Sequence, residues 1–311
     1  MHAAAAAALI PPTMRVFERG WLSSNNILLY DDEHTATLVD TGYVSHGAQT
    51  LALVQNALGN RKLARIINTH LHSDHCGGNA HLQRATGARL AIPPGHAEAV
   101  ARWDEAVLTF RATGQECERF VHDEVLQPGA TVQMGARDWQ VIAAPGHDPH
   151  SVVLWDVADR VLISADALWQ HGFGAIFPEI EGDSGFAEQG AMLDLIAGLD
   201  PKLVIPGHGS PFADVPAALL RARKRLDALA ADPARNARQV AKVLIKFYLL
   251  DVRSLPFDRL VQHLAGARYF TVINERYFRL PFSEMISNSV HELVAVGAAE
   301  WRDGIVANRD T

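Results

Sequence analysis

The amino-acid sequence predicts an α/β fold over its first two thirds, followed by a mainly helical part. Two observations predict this. Up to about Pro216 short β-rich runs alternate with turn residues and helical stretches, whereas helical periodicity dominates beyond it. The net charge of −7 also divides: residues 1–216 carry 13 basic and 25 acidic side chains, and residues 217–311 carry 15 and 10.

Taken in order, strands are expected at Asn26–Tyr30, Thr35–Asp40, Arg65–Thr69, Arg89–Ile92, Trp139–Ala143, Val152–Asp156, Arg160–Ser164 and Leu203–Ile205. Each is a short β-rich run bounded by turn residues. Helices are expected between them at His46–Leu58, Asn79–Thr86, Glu98–Phe110 and Phe186–Gly198. The second part reads as helices at Ala217–Ala230, Arg235–Leu250, Phe257–Leu264 and Phe282–Val296, with a β-like piece at Tyr269–Phe278. Two domains follow, 14–216 and 217–311, the second open to a winged-helix-like arrangement. No internal repeat or low-complexity linker interrupts either.

A chain of 311 residues buries roughly three quarters of its unfolded surface and needs no staple. With 48% hydrophobic and 20% charged residues it reads as an ordinary globular protein, which excludes collagen-like, disordered and membrane-spanning classes. Two cysteines, Cys76 and Cys117, cannot make a disulfide framework. The apolar start Ala3–Ile10 is too short for a span and has no basic residue ahead of it, so a cytoplasmic protein is expected.

Fifteen histidines are the unusual number, and their positions explain it. The apolar run Arg65–Asn68 ends in Thr69-His70-Leu71-His72-Ser73-Asp74-His75, so a buried strand delivers three imidazoles and a carboxylate into one loop. Alternate residues of an extended segment project to one side, which groups His70 with His72, and nitrogen with carboxylate oxygen suits zinc and related divalent ions. Three more strand ends repeat the pattern with His147, Asp166 and His208.

These motifs resemble the metallo-β-lactamase-fold superfamily of hydrolases over roughly residues 14–215, with Asp40-Thr41-Gly42 resembling its first motif. Thr69–Gly78, Ala144-Pro145-Gly146-His147 and Pro206-Gly207-His208-Gly209 are most similar to its glyoxalase II-like group. The resemblance implies an αββα four-layer sandwich and a dinuclear site. His70, His72 and His147 would hold one metal; Asp74, His75 and His208 would hold a second; Asp166 would bridge them. Zinc is the expected ion, with iron or manganese accepted by the same donors. It further implies Asp40 as support for the metal loop from behind; two cations sharing an oxygen would make a hydroxide the nucleophile, with Asp74 or a metal-bound water as the proton carrier.

Two departures stand out. Ala165 takes the place of the usual Gly before Asp166, and His150 stands where a Gly usually follows the Pro after His147, from where it could reach the substrate or support a ligand from behind. Cys76 follows the motif directly. The long segment Ala167–Gly185 suits a pocket wall, with Trp169, Phe173 and Phe177 as candidate lining, and Gly95–Cys117, with Trp103 and Phe110, suits a second rim.

The expected activity is hydrolysis of a thioester, ester or lactone on a small molecule. Basic residues Arg221, Arg223, Lys224, Arg225, Arg235, Arg238, Lys242 and Lys246 offer attraction to an anionic carrier group, a carboxylate or the phosphates of coenzyme A. Lactonase or β-lactamase ring opening and phosphodiester or nucleic-acid cleavage are alternatives on the same ligands. The acidic first part argues against a long polyanion. A non-enzymatic alternative is a winged-helix regulator.

Overall fold

Apolar side chains alternate along the strands of two sheets, and this alternation builds four layers. In the computed structural model, which describes residues 6–309, the first sheet has the order β1 (Met14–Phe17), β2 (Asn26–Tyr30), β3 (Thr35–Val39), β4 (Lys62–Ile67), β5 (Arg89–Ile92) and β6 (Glu124–Val125). Its strands run antiparallel from β1 to β3 and parallel from β3 to β6. The second sheet contains β7 (Thr131–Met134), β8 (Arg137–Ala143), β9 (Val152–Asp156), β10 (Val161–Ala165) and β11 (Leu203–Pro206) in reverse sequence order, with only β10 and β11 parallel.

Ile27, Leu29 and Ile67 of the first sheet share one core with Leu154, Ile163 and Ile205 of the second. Their neighbours Leu28 and Ile66 face the opposite way, onto Val54 and Leu58 of α1 (Gly47–Leu58). The chain then forms α2 (Ser73–Cys76), α3 (Asn79–Thr86), α4 (Ala97–Arg102), α5 (Phe110–Thr113), α6 (Pro178–Glu181), α7 (Phe186–Leu199) and α8 (Val215–Ala231). On the far side, Val153, Leu162 and Val204 pack under Leu193 and Ile196 of α7 and Ala218 and Ala222 of α8. The period-2 alternation of strands between i, i+3, i+4 helix faces yields the αββα sandwich. Each buried Val, Leu or Ile among them contributes about 1.5–3 kcal/mol on burial.

The last helices are α9 (Pro233–Val252), α10 (Phe257–Ala265), α11 (Arg268–Ile273) and α12 (Phe282–Ala295). Ala237, Val240, Ala241, Leu244 and Ile245 form one face of α9, in a separate core with Ile273, Ile286 and Val290. The apolar residues change cores between Leu229 and Ala237, because α8 belongs to the sandwich although the charge division lies near Pro216.

Two expected elements are corrected. Tyr269–Phe278 is helical: Tyr269, Phe270 and Ile273 point into the core at helical spacing, and a π turn covers Asn274–Phe278. The strands of this part are instead β12 (Ser254–Pro256), β13 (Ala299–Arg302) and β14 (Ile305–Asn308), in the order β12-β14-β13. The helix expected over Glu98–Phe110 stops at Arg102, where Trp103 takes φ 56° and its ring packs on Phe120 at 5.3 Å. Of the apolar start Ala3–Ile10, Ala3–Ala5 lie outside the described residues; among those described, no helix is long and apolar enough to cross a membrane.

Candidate metal centre

Five strand ends converge. Asp40 follows β3, the loop from Asn68 to Cys76 follows β4, His147 lies beyond β8, Asp166 follows β10 and His208 lies beyond β11. The parallel pairs β3–β4 and β10–β11 open their carboxyl ends on this mouth, the usual place for a site on such strands. Backbone hydrogen bonds lace the two sheets together there: Val152 N donates to Thr69 O at 2.9 Å and Asn25 N to Gly207 O at 2.6 Å.

The first donor group is His70, His72 and His147. His72 sits in extended backbone (φ −69°, ψ 148°) just before α2, so it projects to the same side as His70. His72 Nδ1 lies 3.1 Å from His70 Nε2 and 2.7 Å from His147 Nε2. The far nitrogens are engaged elsewhere: His70 Nδ1 with Thr69 Oγ1 at 3.2 Å, and His147 Nδ1 as donor to the Ala175 carbonyl. His72 Nε2 lies 3.6 Å from Asp148 Oδ2. Lone pairs of neutral imidazoles held this close repel one another unless a cation or proton lies among them.

The second group is Asp74, His75, Asp166 and His208, whose donor atoms lie within 4.8 Å of one another. His208 Nε2 is 2.9 Å from Asp74 Oδ2. His75 Nδ1 donates to Asp40 Oδ2 at 2.7 Å, while its buried Nε2 has no hydrogen-bond partner and faces Asp74 Oδ2 at 3.6 Å and Asp166 Oδ1 at 3.4 Å. Asp166 reaches both groups, because its Oδ2 is 3.4 Å from His147 Nε2. Trp169 Nε1 donates to Asp166 Oδ1 at 3.1 Å.

Burial and neighbours set the charges. Burial alone would raise Asp166, but the His75 and His208 imidazoles outweigh it and hold the carboxyl well below the usual carboxylate range. Asp74 is shifted down in the same way by His75 and His208. Burial would lower His75, yet the carboxylates of Asp166, Asp74 and Asp40 hold it well above the ordinary imidazole value. Burial and the neighbouring imidazoles push His70 well down, and burial with His147 brings His72 to about 4. At neutral pH His70 and His72 therefore offer bare nitrogens.

Above the donors opens a cavity of about 770 Å³, closed on one side by α9. Trp169 and Phe177 line it as the sequence suggested, and so does Phe110 of the other rim. Phe173 instead is fully buried in the core beneath α8, and Trp103 packs on Phe110 and Phe120. His150 is not brought to the donors: its ring stacks edge-on against His96 at 4.5 Å, over Gly95, and it does not line the cavity. Cys76 is fully buried, its Sγ 3.9 Å from Cys117 Sγ.

Two neighbours, Asp148 and Trp21, went unread in the sequence, and a third, Arg225, was read only as one of the basic residues. Asp148 approaches His72 from behind. Trp21 stacks on His208 at 5.3 Å. Arg225 donates to the Phe173 carbonyl at 2.7 Å and lies over that ring. Asp148, directly after His147, carried a signal in the chain, whereas Trp21 is joined to the site by tertiary contact alone.

The sequence profile described as the metallo-beta-lactamase superfamily matches residues 19–208. The hydroxyacylglutathione hydrolase of Methylococcus capsulatus is 28% identical over 128 residues, which is 41% of this chain and 40% of that protein. The chain thus spans about two fifths of the length of that relative and of its Rhodospirillum rubrum counterpart. The acyl-coenzyme A thioesterase MBLAC2 of Homo sapiens is 28% identical over 226 residues, 63% of this chain and 77% of that protein. The crystal structure of a beta-lactamase domain protein from Burkholderia ambifaria superposes with a TM-score of 0.59 at 22% identity, covering 96% of this chain and 93% of that one.

Proposed function

The chain belongs to the metallo-beta-lactamase superfamily, and from that premise we propose that it is a dinuclear-metal hydrolase of a small-molecule thioester or related ester. The observation that carries this reading is Asp166, whose two oxygens face the two donor groups at 3.4 Å each beneath a cavity with aromatic walls. His70, His72 and His147 would hold one divalent cation; Asp74, His75 and His208 would hold the other, with Asp166 common to both. The orphaned His75 Nε2 and the crowded nitrogens of the first group fit such occupancy. Zinc suits this donor set, and iron or manganese would be accepted by it.

When bound, such a pair would supply an acidified water near neutral pH and a Lewis acid for a carbonyl. The protein's own part is to hold donors, orient substrate and carry a proton. Asp74, with Oδ2 held at 2.9 Å from His208 Nε2, faces the cavity and would take up and return that proton. Phe177, Val243, Phe247 and Leu293 offer an apolar wall for an acyl chain and exclude water from it. The thioester preference rests on the likeness to a hydroxyacylglutathione hydrolase and to an acyl-coenzyme A thioesterase. The two unbonded cysteines fit a cytoplasmic location.

The test is a panel of acyl-thioesters, lactones, a cephalosporin and a phosphodiester, assayed after metal analysis beside Asp166→Asn. Thioester turnover that falls at least about a hundredfold in Asp166→Asn, together with metal content, is expected. Full activity and full metal content in that variant would overturn the bridging role.

A further inference from the structure

Helices α8 and α9 meet at Asp232–Pro233 and turn basic faces toward each other. Arg221, Lys224 and Arg225 recur at intervals of three and four and so share one face of α8; Arg235 and Gln239 stand one turn apart on α9. With Ala228 and Leu229 they line a groove of about 420 Å³ whose lining holds four cations and no carboxylate.

Neighbouring basic residues differ. Arg223 pairs with Asp194 at 2.5 Å and Lys242 with Glu292 at 2.9 Å. Among the described residues no carboxylate lies within ion-pair reach of Arg221, Lys224, Arg225 or Arg235. Arg221 Nε donates to Gln170 O at 2.9 Å and Arg225 Nη1 to Phe173 O at 2.7 Å, contacts that aim the guanidinium groups without neutralising them. Burial, and then the charge of Arg235, draw the Arg225 pKa below its ordinary value. Like charges are thus held together around an open space.

The groove is not isolated from the donors. Arg225 and Gln239 line both it and the large cavity, and Lys242 and Lys246 continue the same side of α9 into that cavity. A molecule with its reactive end at Asp166 and its tail along α9 therefore leaves the cavity past Arg225 and into the groove.

We propose that this groove binds the phosphate groups of the substrate's carrier, which makes the substrate class a thioester of a phosphate-bearing thiol of the coenzyme A type. This rests on the hydrolase reading given above. A carrier ending in one or two carboxylates leaves most of the four charges uncompensated, whereas several phosphates engage all of them, and the three guanidinium forks match phosphate oxygens.

The test compares two thioesters of the same acyl group: the coenzyme A ester and the N-acetylcysteamine ester, which keeps the thioester end and lacks phosphates. The triple variant Arg221→Ala/Lys224→Ala/Arg235→Ala is expected to lower the ratio of their kcat/KM values at least about tenfold, through KM for the coenzyme A ester. An unchanged ratio overturns the proposal. Calorimetric titration with adenosine 3′,5′-bisphosphate provides a second readout that does not depend on turnover. Salt-sensitive binding to the native protein that is lost in the triple variant supports the groove, and no binding to the native protein overturns it. If neither ester is hydrolysed by metal-loaded protein, the hydrolase reading fails, and the titration alone decides the groove.

Discussion

Asp40 accepts the Nδ1 proton of His75 at 2.7 Å across 35 residues of chain, and so fixes which nitrogen of that ring turns toward Asp74 and Asp166. The same carboxylate accepts Thr69 N at 2.9 Å and Thr69 Oγ1 at 2.8 Å, tying the end of the preceding strand to the loop that carries four of the donors. Asp40→Asn removes the charge but tolerates the left-handed backbone at φ 58°. Metal affinity of the second group is expected to fall about 10–100-fold in this variant, measured by competition with a chromophoric chelator, with the fold retained.

Gly207 lies close against the Asp166 carboxylate. A methyl there would run into Asp166 Oδ1 and lie 2.9 Å from His75 Cε1. Gly207→Ala is expected to displace Asp166, costing about 1–3 kcal/mol of stability in denaturant titration and reducing bound metal below two equivalents by elemental analysis.

The metal-free protein should respond to pH in two opposed ways. His75 is held well above 6.5, so its charged form stabilises the fold fully below pH 6.5, and that contribution is lost as pH rises through the folded value. His72 is held at about 4, so the unfolded chain takes up its proton first and stability falls as pH drops from 6.5 toward 4. Urea titrations of chelator-treated protein from pH 4 to 9 check both arms. Metal loading is expected to remove the alkaline loss, because a cation replaces the His75 proton, and to release a proton that an indicator dye detects.

Ala165 adopts φ 46° immediately before Asp166. A left-handed alanine costs about 1–2 kcal/mol, and a glycine there costs about 0.5–1 kcal/mol in unfolded-chain entropy. Ala165→Gly is therefore expected to raise stability by up to about 1 kcal/mol in denaturant titration.

The donor residues are legible in the sequence because each follows an apolar run within a few residues, so strand and donor are read together. The sandwich is legible for a similar reason: Leu154, Ile163 and Ile205 sit in buried runs with turn residues on either side. Tyr269–Phe278 misleads because its aromatic and β-branched composition favours a strand, while Tyr269, Phe270 and Ile273 take their helical spacing from a core that only the folded chain supplies. The strands of that part are short, and Glu300 and Arg302 leave β13 without a continuous apolar run. Trp21 was unreadable, since nothing local ties it to the donors; Arg225 was legible as one cation of the basic cluster, but its place beside the cavity was not.

Ala175 and Ile180 follow Asp166 in sequence, yet their side chains are buried in the core built by α9 and its neighbours. The loop beyond Asp166 is consequently anchored in both halves of the protein. Exchanging the terminal module for another would redraw the mouth of the reaction chamber, so in this architecture selectivity and assembly are inherited together.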